Sequence, residues 1–198
     1  MQKYNKRIKA KKTLYKGIWF KSNLEARVAE AFDKLQVEWS YEHMCFKDFR
    51  FHGGQYTPDF YLAKQDLYVE VAGVWDERHV DNARVLTTDY GLELMGVDGD
   101  GDIFNISFDD ESHRNNKMTS IICEGKDCIE IAFAKCEKMP IECPICGTKQ
   151  SGDLIEQNIF EFADEIYGMS LDWYECMKSN GEDVKHPYRH LGWETRHV

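Results

Sequence analysis

The stretch QYTPDFYLAKQDLYVEVAG, residues 55–73, sets the strongest constraint on what this chain can fold into. Tyr56 to Leu62 and the alternating Leu67 to Val71 read as two strands joined by a short polar link. Asp59 follows Pro58 in the first, and Glu70 lies at the centre of YVEVA in the second. Neighbouring strands can bring these carboxylates to one edge of a sheet, with the main-chain carbonyl of Val71 as a further oxygen. A small set of hard oxygen ligands, with positions left for water and phosphate, suits Mg²⁺ or Mn²⁺. Such an ion polarises a phosphodiester and acidifies an attacking water.

The flanking segments supply a framework. SNLEARVAEAFDKL has a capping Ser22 or Asn23 and apolar residues at Leu24, Val28, Ala31, Phe32 and Leu35, which predicts an amphipathic helix carrying Glu25 on its first turn. From that position Glu25 can point a third acid at the same ion. Tyr15 to Phe20, Val37 to Tyr41 and Met44 to Phe51 are expected as strands, with a turn at 52–54. A second helix is expected over DERHVDNARVLTTDYG, ending at Gly91. A buried strand then leads through LELMGVDGDGDIFNI into a Gly/Asp loop. The order predicts a mixed α/β fold. Asp98, Asp100 and Asp102 are expected to form a solvated turn, because the bidentate glutamate of a calcium loop is missing.

Glu25 in SNLEAR, Asp59 in YTPDFYL and Glu70 in LYVEVAG together resemble the PD-(D/E)XK nuclease superfamily, in particular its small phage-encoded and transposon-associated endonucleases. The resemblance covers roughly residues 13–98. It implies a restriction-endonuclease-like mixed sheet flanked by helices, and Mg²⁺-dependent hydrolysis of DNA assisted by a lysine two residues after the glutamate. Here Ala72 takes that place. Three explanations follow: a deliberate lysine-to-alanine substitution, which the intact acids favour; a cation supplied instead by Lys64, Arg78, His79 or Arg84; or a fold kept as a binding platform. The expectation is an endonuclease that is slow or disabled at position 72. The alternative is a non-catalytic module binding nucleic acid or protein. Singly, Glu70 reads as a solvent-face strand residue and Asp59 as a turn former; with Glu25 beside them, the metal site is the better reading.

Most of the seven cysteines fall between residues 123 and 146. Cys123 and Cys128 are spaced C-x4-C, and Cys143 and Cys146 form CPICG, a half-site for tetrahedral zinc. A closed shell of four cysteines predicts structural Zn²⁺ in a ribbon or knuckle. Cys136 is a substitute for one of the first pair, while Cys45 and Cys176 are expected as buried thiols.

Charge separates along the chain. Residues 1–24 hold eight Lys or Arg and no acid, whereas residues 25–198 hold 17 basic and 35 acidic side chains, a formal −18. Lys6, Arg7, Lys9, Lys11 and Lys12 are expected to meet DNA phosphates without sequence preference. The acidic body implies that a dimer or partner subunit adds to the grip on DNA. Lacking a run of roughly 20 apolar residues, the chain is expected to have no membrane span and to work in bacterial or phage-infected cytoplasm. The expected organisation is a basic arm over 1–21, a nuclease-like domain over 13–113, a zinc ribbon over 114–152 and a helical tail over 153–198, with helices at Asp153 to Tyr167 and Ser170 to Ser179.

Overall fold

The computed structural model describes residues 10–106, 108, 116–125, 128–135, 140–150 and 158–168. It is a mixed α/β fold around a seven-stranded sheet. Ahead of the sheet, β1 (Thr13–Tyr15) and β2 (Ile18–Phe20) pair as an antiparallel hairpin. The single strand expected at Tyr15 to Phe20 is thus a turn and a strand. Lys16 and Gly17 both adopt positive φ, 45° and 82°, the two-residue geometry whose twist matches a hairpin.

Ser22 caps α1 (Asn23–Lys34), its hydroxyl accepting the Glu25 N–H. The helix buries Val28, Ala31 and Phe32 as the periodicity predicts, and Leu35 follows at its end. Each fully buried aliphatic or aromatic side chain of this size contributes about 1.5–3 kcal/mol.

The strands after α1 are shorter than expected. β3 is Ser40–Tyr41, and only Phe46–Lys47 (β4) of Met44 to Phe51 is extended. The chain leaves that line because the Asp48 carboxylate accepts the Arg50 N–H and the Phe51 N–H closes on the Asp48 carbonyl, a local turn that competes with a ladder. β5 (Gln55–Tyr56) pairs with β4, outside the main sheet. Thr57 and Pro58 interrupt the next strand, so that β6 is Phe60–Leu62 and Asp59 sits immediately before it. β7 (Leu67–Val71) forms as expected.

Asp76 caps α2 (Glu77–Arg84), which continues through a wider turn at Val85–Asp89 to Gly91 at φ 66°. β8 (Glu93–Val97) runs parallel to β7, and β9 (Ile103–Asn105) returns antiparallel. β10 (Asn116–Gly125) and β11 (Cys128–Lys135) form a long hairpin. The sheet order is β11-β10-β9-β8-β7-β6-β3. Because Asn116 pairs with Asn105 and Lys117 with Phe104, the sheet runs without a break past the boundary expected at residue 114.

Alternation along the strands divides the core. Val69, Val71 and Phe60 pack with α1 and with a third helix, α3, over residues 159–168, through Ile159, Phe162 and Ile166. Tyr68 and Leu94 face Ala83 of α2 and Leu86 on the other side. The Gly/Asp loop docks α3. Asp98 Oδ1 accepts the N–H groups of Asp100, Gly101 and Asp102, while Asn158 donates to the Asp100 carbonyl and Asp102 Oδ1. Gly101, at φ 99°, is needed there, since a Cβ would overlap the Phe160 ring. The turn is solvent-exposed at Asp100 and Asp102, as expected, and also serves as a structural clasp. Of the expected tail helices, 153–157 and Ser170 to Ser179 lie outside the described residues. Among the described residues, no helix is long and apolar enough to cross a membrane.

Candidate metal centres

Three acids from three separate segments gather where β7 ends. Glu25, Asp59 and Glu70 are 6, 7 and 8% exposed, although a strand glutamate taken alone reads as solvent-facing. Each is tied to the fold by one oxygen. Glu25 Oε2 accepts from the Tyr41 hydroxyl at 2.6 Å and from the Lys21 N–H at 3.1 Å. Asp59 Oδ2 accepts from the Val71 N–H at 2.8 Å, and Glu70 Oε2 from the Tyr56 hydroxyl at 2.8 Å. Val71 thus enters the site through its amide.

Burial pushes the Asp59 carboxyl well above its ordinary pKa, and the charges of Glu70 and Glu25 push the same way, against the Val71 N–H and Lys21. Burial likewise raises Glu70 to about 7; the Tyr56 hydroxyl, Lys21 and Arg78 oppose it, and the Glu25 charge adds to it. Tyr56, pressed by burial and by Glu70, is held far from ionisation. The acids act on one another as neighbours, yet the three do not bring one oxygen each to within 4.8 Å of the others. Among the described residues, the only group of three potential ligand atoms all within 4.8 Å of one another is made of cysteines. An acid cluster that is buried, self-repelling and pushed toward protonation is short of positive charge.

Ala72 is buried and its N–H donates to the Val97 carbonyl, so position 72 adds backbone order and no charge. Of the four cations expected as replacements, Arg78 is the one whose charge acts on Glu70. Lys64 lies in the turn at the opposite end of β7. His79 pairs with Asp76, and Arg84 pairs with Asp81 and stacks on Phe108. Lys21 carries no motif in the sequence, and its ammonium acts on both Asp59 and Glu70. Tyr41 and Tyr56 are equally unannounced, because nothing local in the sequence pairs a tyrosine with an acid 14 or 16 residues away.

The second centre lies beyond the β10–β11 hairpin. Cys123 of β10 faces Cys143 and Cys146, which sit on a turn between β12 (Ile141–Glu142) and β13 (Lys149–Gln150). Gly147 at φ 73° sends its N–H to the Cys143 carbonyl at 2.8 Å, closing the CPICG turn. Cys123 Sγ and Cys146 Sγ are 3.4 Å apart. Sulfurs around tetrahedral zinc at about 2.3 Å stand roughly 3.8 Å apart, so the spacing fits one ion. The Cys146 thiol donates to the Thr148 hydroxyl oxygen at 3.2 Å; the Thr148 side chain and amide stabilise the thiolate and hold its pKa down to about 6, which favours the form a metal needs.

The ladder pairs Cys128 with Gly125 and Cys123 with Glu130, placing Cys128 at the ladder position diagonal to Cys123, about 7–8 Å away between backbones. Its side chain, like Cys136 and Cys176, lies outside the described residues. Cys45 is exposed, contrary to the expected buried thiol, because the short β4 leaves it on the connecting loop.

Of the basic arm, Lys11 and Lys12 are exposed just ahead of β1, whereas Lys6, Arg7 and Lys9 lie outside the described residues. Leu14 and its cross-strand partner Trp19 are also exposed, at 54 and 64%.

No family model matches the chain, and neither the curated proteins nor the solved structures contain a significant match to it.

Proposed function

We propose that this chain is a divalent-metal-dependent endonuclease of the PD-(D/E)XK type, built on a restriction-endonuclease-like sheet and hydrolysing DNA phosphodiesters. The observation that carries the reading is the convergence of Glu25, Asp59 and Glu70, three buried acids from separate segments of the chain, at the end of one strand. Asp59 and Glu70 would hold Mg²⁺ or Mn²⁺, with Glu25 supporting them. A bound ion there supplies charge for the phosphate and acidifies a water.

The chain's own groups do the rest. The Val71 amide and the Tyr56 hydroxyl each hold one carboxylate oxygen, so Asp59 and Glu70 would each offer the second oxygen to a ligand. Burial excludes bulk water that would screen them. Lys11 and Lys12 neutralise neighbouring phosphates, and a second copy or partner subunit extends the contact. A positioned acid–base group is typically worth about 10²–10⁴ in rate, so with alanine at position 72 turnover is slow beside that of an enzyme with lysine there.

At the second centre, Cys123, Cys143 and Cys146 with Cys128 would hold a structural Zn²⁺, since four thiolates leave no site for water. The purified protein should carry about one zinc per chain.

The test is nicking of supercoiled plasmid in Mg²⁺ or Mn²⁺. Cleavage that disappears in Asp59→Ala and in excess chelator supports the nuclease. Intact plasmid with both the parent and Ala72→Lys, alongside retained DNA binding, would establish the non-catalytic binding module instead.

A further inference from the structure

The acid pocket has a positive charge next to it that no motif announced. Lys21 follows β2, and its backbone N–H donates to Glu25 Oε2 at 3.1 Å and to the Tyr41 hydroxyl oxygen at 3.2 Å. Its ammonium pairs with Glu42, and the Glu42 N–H in turn donates to the Asp59 carbonyl at 2.9 Å. Lys21 is thereby fastened at both ends of its residue to the segments that present Glu25 and Asp59. The side chain is 57% exposed, so the ammonium lies at the rim of the pocket, where a phosphate would enter.

We infer that Lys21 is the cation of this site, contacting a non-bridging phosphate oxygen of the substrate in the role that position 72 leaves open. This rests on the nuclease reading above. Glu42 is the resting partner, and an arriving phosphate draws the ammonium away from an exchangeable, solvent-facing ion pair, which costs little to break. Burial disfavours the Lys21 charge, but Glu42, with Asp59 and Glu25 behind it, outweighs that and holds the ammonium protonated. Lys21 therefore acts as a fixed charge and not as a proton acceptor. Arg78, exposed on α2, acts on Glu70 through its charge but has no comparable tether to Asp59 or Glu25 among the described residues.

The experiment compares the parent chain, Lys21→Met, Lys21→Arg, Arg78→Met and Ala72→Lys. Cleavage of supercoiled plasmid in Mn²⁺ is read together with two measurements that need no turnover. One is Mn²⁺ affinity by electron paramagnetic resonance; the other is the salt dependence of binding a mixed-sequence duplex oligonucleotide in Ca²⁺. Lys21→Met should lower cleavage about 10²- to 10³-fold, the usual cost of losing one charge-stabilising contact, and flatten the plot of log affinity against log salt by about 0.9, the loss of one phosphate contact. Its Mn²⁺ affinity should stay the same or tighten, because a repelling charge is gone; weaker Mn²⁺ binding would mean a damaged pocket and overturn the assignment. Lys21→Arg should restore most of the cleavage, and Arg78→Met should cost less than Lys21→Met.

Parent cleavage unchanged by Lys21→Met overturns the inference. So does an inert parent whose Ala72→Lys variant cuts, a result that would keep the nuclease and remove only Lys21. If neither cuts and neither binds Mn²⁺, both readings fail together.

Discussion

Where β7 ends, Glu25, Asp59 and Glu70 are contributed by a helix, a strand entrance and a strand interior that also form the main core, and each is less than one-tenth exposed. Beyond the β10–β11 edge of the sheet, Cys143 and Cys146 belong to a turn whose apolar support is a small cluster of Cys123, Ala132, Ala134, Ile141 and Cys143 with Ile145. One set of ligands is imposed by a core that forms without them. The other is brought together by a few residues too small to bury much surface, and small modules of this kind derive their folding energy from the ion itself. On the metal reading proposed above, the carboxylate pocket should therefore outlive its ion, and the cysteine turn should not.

If the cysteines hold zinc as proposed, stripping it with a chelator, or replacing Cys143 by serine, is expected to have the largest effect. Structural zinc in small modules has an apparent binding energy of about 10–16 kcal/mol, so residues 140–150 should become protease-sensitive, with the main thermal transition retained. Loss of the main transition as well would show that the two regions are not separable in this way.

The second effect is a pH dependence. Glu70 has a folded pKa of about 7, raised from an ordinary 4.5, so it contributes stability that is present below about pH 4.5 and is lost as the pH rises through 7. The loss is about 3 kcal/mol, and the raised Asp59 adds in the same direction. Urea midpoints of metal-free protein should fall between about pH 5 and 8, less so in Glu70→Gln, and Mg²⁺ at about pH 8 should recover part of the loss. A Glu70→Gln profile parallel to the parent's would sink this account of the pocket.

Tyr56→Phe comes next. It removes the hydroxyl bound to Glu70 and should cost about 1–3 kcal/mol at about pH 8, with weaker Mn²⁺ binding visible by calorimetry. The smallest effect belongs to the cysteine turn. Thr148→Val withdraws a donor from Cys146, so the pH profile for alkylation of that thiol in zinc-free protein should shift upward from about 6, with little change in thermal stability.

How much of this is legible in the sequence depends on whether its signals are local. α1 is legible because Ser22 and a 3.6-residue period both act within a few residues, and β7 because its alternation is unbroken. The β1–β2 hairpin is not, although Lys16-Gly17 between Tyr15 and Ile18 is a hairpin signal of a weak kind. Met44 to Phe51 reads too long because the Asp48 turn competes side chain against ladder, a contest that composition does not decide. The acids can be named in advance, since each lies in a distinct local pattern. Their tyrosine partners and Lys21 cannot, because those contacts exist only once β2, β3 and β5 have been placed. The cysteine cluster is the reverse case, its spacing alone naming Cys123, Cys143 and Cys146.

The unbroken ladder from β9 into β10 also bears on how the protein can be handled. A truncation at residue 113 would strip the hydrogen-bonding row of β9, and it would uncover the apolar surface that Met118, Ile131, Phe133 and α3 now occupy. Raw strand borders of that kind recruit other chains. The fragment that the sequence suggests as a domain should therefore precipitate or self-associate, and soluble preparations should need the chain through residue 168.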